Sequence, residues 1–169
     1  MYGAYPLTPI SNLQASSNLG GYFGALLVLP AWLTQIHRAL SKWRKLVQHF
    51  KSTPNPVFWS GTHNGKSVKS AADKHAKAIG GSTIGQDLKA NNMKPPPRKH
   101  PLYRIWWEFV SKLKALHSTG HASAVLGSKV KKEGVWKKTE EPALMKNDKV
   151  HTISQIHPDT LKETKKLKS

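Results

Sequence analysis

The sequence predicts a mixed α/β (α+β) domain. A short central sheet of parallel type is flanked by helices, and an extra amphipathic helix stands ahead of it. Short β-prone runs alternate with helical stretches between residues 57 and 156, the order that builds parallel strands through helical crossovers. Upstream, from Pro30 to Phe50, apolar residues recur at alternating spacings of three and four, which is one face of a helix. No internal repeat is present.

Taken in order, residues 1–21 are rich in Ser, Asn, Gly and Pro and read as a loose leader. The apolar run Tyr22–Leu33 is interrupted by Pro30 and falls short of the roughly 20 apolar residues of a membrane span. No basic stretch precedes it, which argues against a secretory signal. The segment 22–54 is therefore read as apolar and then amphipathic helix, with Leu33, Ile36, Leu40, Trp43, Val47 and Phe50 on one face. His37, Arg38, Lys42, Arg44 and Lys45 fall mainly elsewhere. The pattern predicts a helix packed on the domain, and its basic side also suits a membrane surface or a partner through residues 30–50.

The turn-rich 51–56, KSTPNP, marks the start of the main domain, residues 55–160. Val57-Phe58-Trp59 reads as a strand that enters the turn Ser60–Gly65, and a helix is expected over 66–78, stopped by Gly80-Gly81. Strand, turn and helix start together suit an anion. Ser82-Thr83-Ile84 is a short strand, and 91–101, with Pro95-Pro96-Pro97, a stiff exposed loop. Leu102–His117 is a second amphipathic helix with Trp106, Phe109, Val110, Leu113 and Leu116 near one side. Ala122–Leu126 reads as a buried strand, Val135-Trp136 begins a further ordered segment, and Val150–Ile156 alternates as a strand. The end, 161–169, is expected to be a solvated basic tail.

Charge and composition narrow the chemistry. The chain has 169 residues, with 27 Lys and Arg against 9 Asp and Glu, a formal net charge of +18. Nucleic acid, anionic lipid and phosphate-bearing small molecules all suit that balance. No acidic residue precedes Asp73, so carboxylate chemistry must come from the later chain. The absence of cysteine excludes disulfides, thiolate nucleophiles and cysteine-ligated zinc.

Gly61–Ser67 ends in Gly-Lys-Ser after a strand, but a nucleotide-binding P-loop needs glycine where Ser60 stands. The nine histidines form no recognisable metal motif; His117 and His121 have i,i+4 spacing, yet Gly120 breaks a helix between them. No metal is expected. Lys129, Lys131, Lys132, Lys137 and Lys138 surround Trp136, a pattern that suits a nucleic-acid surface by stacking and charge. Trp59, Trp107 and Trp136 stand with a late carboxylate, Glu140. Two indoles can clamp a nicotinamide ring, and a carboxylate can stabilise the cationic centre left as a glycosidic bond breaks. Each tryptophan also suits a core position.

In order, Phe58-Trp59-Ser60-Gly61, Thr83-Ile84, Ile105-Trp106-Trp107 with Val110-Ser111, and Glu140-x-Pro142-x-Leu144 resemble the ADP-ribosyl cyclase family over residues 55–160. The resemblance, closest to small toxin-like members without disulfides, implies a cyclase-like fold. It also implies an enzyme that breaks the nicotinamide–ribose bond of NAD⁺, with NAD⁺ as substrate and no cofactor. Trp59 and Trp107 would match the nicotinamide-stacking tryptophans, and Ser111 a serine that helps hold phosphate. Glu140 would match the catalytic glutamate, with Glu141 as its alternative, and Trp136 the aromatic residue before it. Ser60 and Gly61 would begin the phosphate side.

Gly85 stands where the family has a glutamate that contacts the nicotinamide amide. Gln86 could bond that amide and Asp87 could substitute, so cyclisation is more in doubt than bond cleavage. Such a protein would suit an NAD⁺-depleting toxin or effector acting in a target-cell cytoplasm, with an immunity or inhibitor protein as partner. The alternative is a non-catalytic nucleic-acid-binding protein.

Overall fold

The computed structural model describes residues 31–169; the leader 1–21 and the apolar run before Ala31 lie outside the described residues. Helix α1 (Ala31–Ser52) leads to strand β1 (Pro56–Ser60), the short strands β2 (Thr62–His63) and β3 (Lys66–Ser67), and helix α2 (Lys69–Ala78). Then come β4 (Ser82–Thr83), α3 (Ile84–Ala90), α4 (Tyr103–His117) and β5 (Gly120–Leu126). A π-helical turn, Trp136–Glu140, runs into α5 (Glu141–Met145), followed by β6 (Val150–Ile156) and β7 (Glu163–Lys168).

The fold is mixed α/β around a mostly parallel sheet in the order β4-β1-β5-β6-β7. Strand β1 pairs in parallel with β4 and β5, β5 pairs in parallel with β6, and only β7 is antiparallel. Central parallel strands are covered on both faces, which is why Pro56-Val57-Phe58 and Ala122–Leu126 are buried without alternation.

On one face Phe58, Ala122, Ala124, Leu126 and Ile153 meet Ala115 of α4, Trp136, and Ala143 and Leu144 of α5. On the other, Val57, Val125 and Ile156 meet Val68 at the N-cap of α2 and Ala72 and Ala76 along it. A third cluster joins α1 to α3 and α4 through Leu46, Phe50, Ile84, Leu88 and Val110. The expected helix at 30–50 thus packs on the domain through its C-terminal half, while Ile36 and Leu40 of the same stripe stay exposed.

Three local expectations are corrected. The segment after β1 is a β-hairpin, and α2 begins at Lys69 instead of residue 66. Asn64 and Gly65 both adopt positive φ, 50° and 74°, as a two-residue type I′ hairpin turn requires. Ile84 opens a helix instead of ending a strand, because the Gln86 side chain accepts a bond from the Thr83 N–H at 2.8 Å and closes a capping box. The basic tail supplies β7: Lys165, Lys166 and Lys168 pair in register with Gln155, Ser154 and Ile153. Charged side chains do not prevent pairing at a sheet edge, where they face water.

Candidate active site

At the C-terminal end of β1 the sheet opens into a cavity of about 610 Å³. Its wall includes Trp59 and Ser60 from β1, Gly61 just after it, Gly85 from α3, Trp107 and Ser111 from α4, and Trp136 and Glu140 from the π-helical turn. The outer ends of parallel strands are where open α/β sheets place ligands.

The geometry follows from local sequence. Trp59 is the next-to-last residue of β1; it lines the cavity and also packs on the α2 cluster. Gly61 sits at φ +88°, and a Cβ there would collide with the Lys129 carbonyl, so only glycine lets β1 turn into the hairpin at this point. Thr62 and Lys129 exchange backbone bonds of 3.2 and 3.1 Å, which pins that turn to the segment after β5.

On α4, Tyr103, Trp107, Ser111 and Lys114 follow one another at spacings of four, four and three, a single stripe of the helix. Trp107 packs edge-on against Trp106, centroids 5.2 Å apart, and against Tyr103 at 6.3 Å. The π-helical turn presents the last two residues. Glu141 N–H bonds back five residues to the Trp136 carbonyl, just before Pro142, which has no N–H to continue a regular helix. Trp136 is buried beside Phe58, with ring centroids at 6.2 Å.

Glu140 is the chemically distinctive residue. It is 5 % exposed, and burial pushes its carboxyl up from 4.5 to about 7, against the lowering pull of a hydrogen bond with Ser111 and the charge of Lys114. Lys114 is itself buried, and desolvation lowers its ammonium against the raising effect of Asp87 and Glu140. Its Nζ donates to Asp87 Oδ2 at 2.6 Å and to the Ser82 carbonyl at 2.7 Å. Asp87 Oδ1 lies 2.9 Å from His49 Nε2, so the network runs from α1 through α3 to α4.

The wall thus brings together Trp59, Ser60, Gly61, Trp107, Ser111, Trp136 and Glu140. Gln86 and Asp87 stand apart. Gln86 is held by the Thr83 cap, and Asp87 is consumed by Lys114 and His49. Glu141 lies outside the wall and pairs with Lys137 at 2.7 Å. Gly85 leaves open space, with the nearest atoms to a Cβ at 3.9 and 4.0 Å.

Sequence reasoning missed Lys69, Arg98, Tyr103 and Arg104, which complete the wall. One of them, Tyr103, was within reach, since it shares a helical stripe with Trp107. The hairpin residues His63, Asn64, Lys66 and Ser67, expected on the phosphate side, line a separate, smaller cavity with Val68, Ala71, Pro158 and Asp159. Trp136 is too buried to stack on a nucleic-acid base, although the lysines around it are exposed. Among the described residues no helix is long and apolar enough to cross a membrane.

No protein-family model and no curated protein matches the chain. Among solved structures, an ADP ribosyl cyclase complexed with N1-cIDPR is similar at 17% identity with a TM-score of 0.44. An Aplysia cyclase complexed with substrate NGD and product cGDPR is similar at 20% identity and the same TM-score. Each match covers 62% of this chain and 49% of the other, so the chain spans about half the length of these cyclases.

Proposed function

We propose that this chain binds NAD⁺ in the cavity at the end of β1 and cleaves its nicotinamide–ribose bond, releasing nicotinamide. The observation that carries the reading is the convergence on one wall of three indoles, Trp59, Trp107 and Trp136, with a buried carboxyl, Glu140. A volume of about 610 Å³ lies in the range of small-molecule sites.

The half-buried indoles of Trp59 and Trp107 suit a nicotinamide ring. Trp107 and Trp136 also have buried indole N–H groups without a partner among the described residues, donors that a ligand can satisfy. Lys69, Arg98 and Arg104 on the wall suit a pyrophosphate. Nicotinamide leaves as a neutral molecule, so the step needs no strong acid. It needs a negative charge where the ribose becomes cationic, and such a charge acts strongly in a site shielded from water. Glu140 supplies it as carboxylate, and a cationic ligand favours its ionised form. Water then captures the ribosyl centre as hydrolysis, or the adenine ring captures it as cyclisation.

The test is incubation of the purified chain with NAD⁺ and chromatography of the products. Nicotinamide and ADP-ribose should accumulate, and Glu140→Gln should lower turnover by roughly a thousandfold while keeping the fold. Retained activity in Glu140→Gln, or no consumption of NAD⁺ by the wild type, refutes the proposal.

A further inference from the structure

Away from that cavity, three side chains distant in sequence converge. His63 lies at the end of β2, and His157 and Asp159 lie just after β6. His63 Nε2 and Asp159 Oδ2 are 2.8 Å apart, and the two imidazoles meet edge-on with centroids at 5.2 Å. One ligand atom from each of the three falls within 4.8 Å of the others. The hairpin turn at Asn64-Gly65 delivers His63. A tight turn delivers the others: Leu161 N–H donates to the His157 carbonyl and His157 N–H to the Lys162 carbonyl, each at 2.9 Å. Beside the cluster is a cavity of about 280 Å³ lined by His63, Ser67 and Asp159 among others. The Nδ1 of His63 is buried without a hydrogen-bond partner among the described residues.

We propose that His63, His157 and Asp159 bind a divalent transition-metal ion. Two imidazoles and one carboxylate form a ligand set that zinc and ferrous iron both accept, whereas calcium and magnesium take oxygen ligands. In a tetrahedral shell with metal–ligand bonds near 2.0 Å, ligand atoms stand about 3.3 Å apart. The observed cluster therefore needs shifts of only an ångström or so to close on an ion. Three protein ligands leave a further position open for water. The ion would tie the hairpin, which continues directly from Trp59, Ser60 and Gly61, to the turn between β6 and β7. A plain His63–Asp159 hydrogen bond ties the same two segments without metal, and the test separates the two.

The full chain, stripped with a chelator, is titrated calorimetrically with Zn²⁺ and, in the absence of oxygen, with Fe²⁺. At least one metal should bind at a single site per chain. His157→Ala and Asp159→Asn should each weaken binding at least about tenfold. His100→Ala, an exposed histidine outside the cluster, should bind as the wild type does. Asp159 is exposed, so Asp159→Asn tests the ligand without threatening the fold, which circular dichroism checks. Unchanged affinity and stoichiometry in both cluster variants, or no binding of either metal by the wild type, overturns the proposal. None of these readouts depends on NAD⁺ turnover.

Discussion

The two faces of the sheet are packed to different ends. Against α2 the sheet is closed with small apolar groups, and Ala72 and Ala76 let the helix lie close on Val57, Val125 and Ile156. Against α4 and the π-helical turn it buries Ser111, Lys114, Asp87 and Glu140 beside an open cavity. A face built only for stability has no reason to bury that many charged groups, since hydrophobic packing stabilises at least as well. The charged face carries a desolvation cost greater than that of the α2 face, where His75 is buried, and that contrast supports the proposed site.

The largest break in the comparison is expected at Lys114. Replacing it with methionine removes the ammonium that lies 5.8 and 5.7 Å from the Phe50 and Phe58 ring centroids and leaves Asp87 buried with only His49. Urea unfolding should show a loss of about 3–5 kcal/mol. The double variant Lys114→Met with Asp87→Asn should recover part of it. A loss under about 1 kcal/mol would mean that the buried pair is not what holds α3 on α4.

Next in size is the effect of pH. A carboxyl raised from 4.5 to about 7 is stabilising when protonated: the contribution is present in full below 4.5 and is lost as pH rises through about 7. The shift corresponds to roughly 3 kcal/mol. Wild-type stability should therefore fall over that window relative to Glu140→Gln. His75 and His117, both lowered by burial, cancel in the difference. If Glu140 acts as carboxylate, kcat/KM for NAD⁺ should rise as pH passes about 7.

How much of this was legible follows from the same contrast. The parallel core strands were readable because β-prone runs such as Val57-Phe58-Trp59 stand between helical stretches. The wall residues Trp59, Trp107, Ser111 and Glu140 were readable only as a family order of motifs, since taken alone the tryptophans suit a core position and a glutamate before a proline suits the surface. Lys114 was not readable as buried, because a lysine on an amphipathic helix is ordinarily at the surface. Gln86 and Asp87 looked available for the ligand because their partners, Thr83, Lys114 and His49, are brought close only by tertiary packing. The hairpin was legible in Asn64-Gly65, the strongest short hairpin signal, but the adjoining Gly-Lys-Ser drew the reading toward a phosphate loop. His157-Pro158-Asp159 gives a weak local hint of a ligand pair; its third member comes from β2, far away in sequence.

On the α2 face, Ala76→Leu should cost about 1–3 kcal/mol, because the position is fully buried and has no room for added methylenes. Turnover per folded molecule should stay unchanged, since no residue of α2 beyond Lys69 lines the cavity. A change in KM after correction for the folded fraction would show that the two faces are mechanically coupled.

The smallest effect belongs to Gly85, where the cavity face has the room that the α2 face lacks. A side chain there meets nothing nearer than 3.9 Å, and the residue opens the first turn of α3. Gly85→Glu removes the entropic cost of a helical glycine and places a carboxylate near the helix's positive end. It should stabilise by about 0.5–1 kcal/mol, read as a raised thermal midpoint. The new carboxylate also enters the wall that holds Trp107 and Glu140, so under the proposed activity the ratio of cyclised product to ADP-ribose should change. A raised midpoint with an unchanged product ratio would remove this position from control of the reaction's outcome.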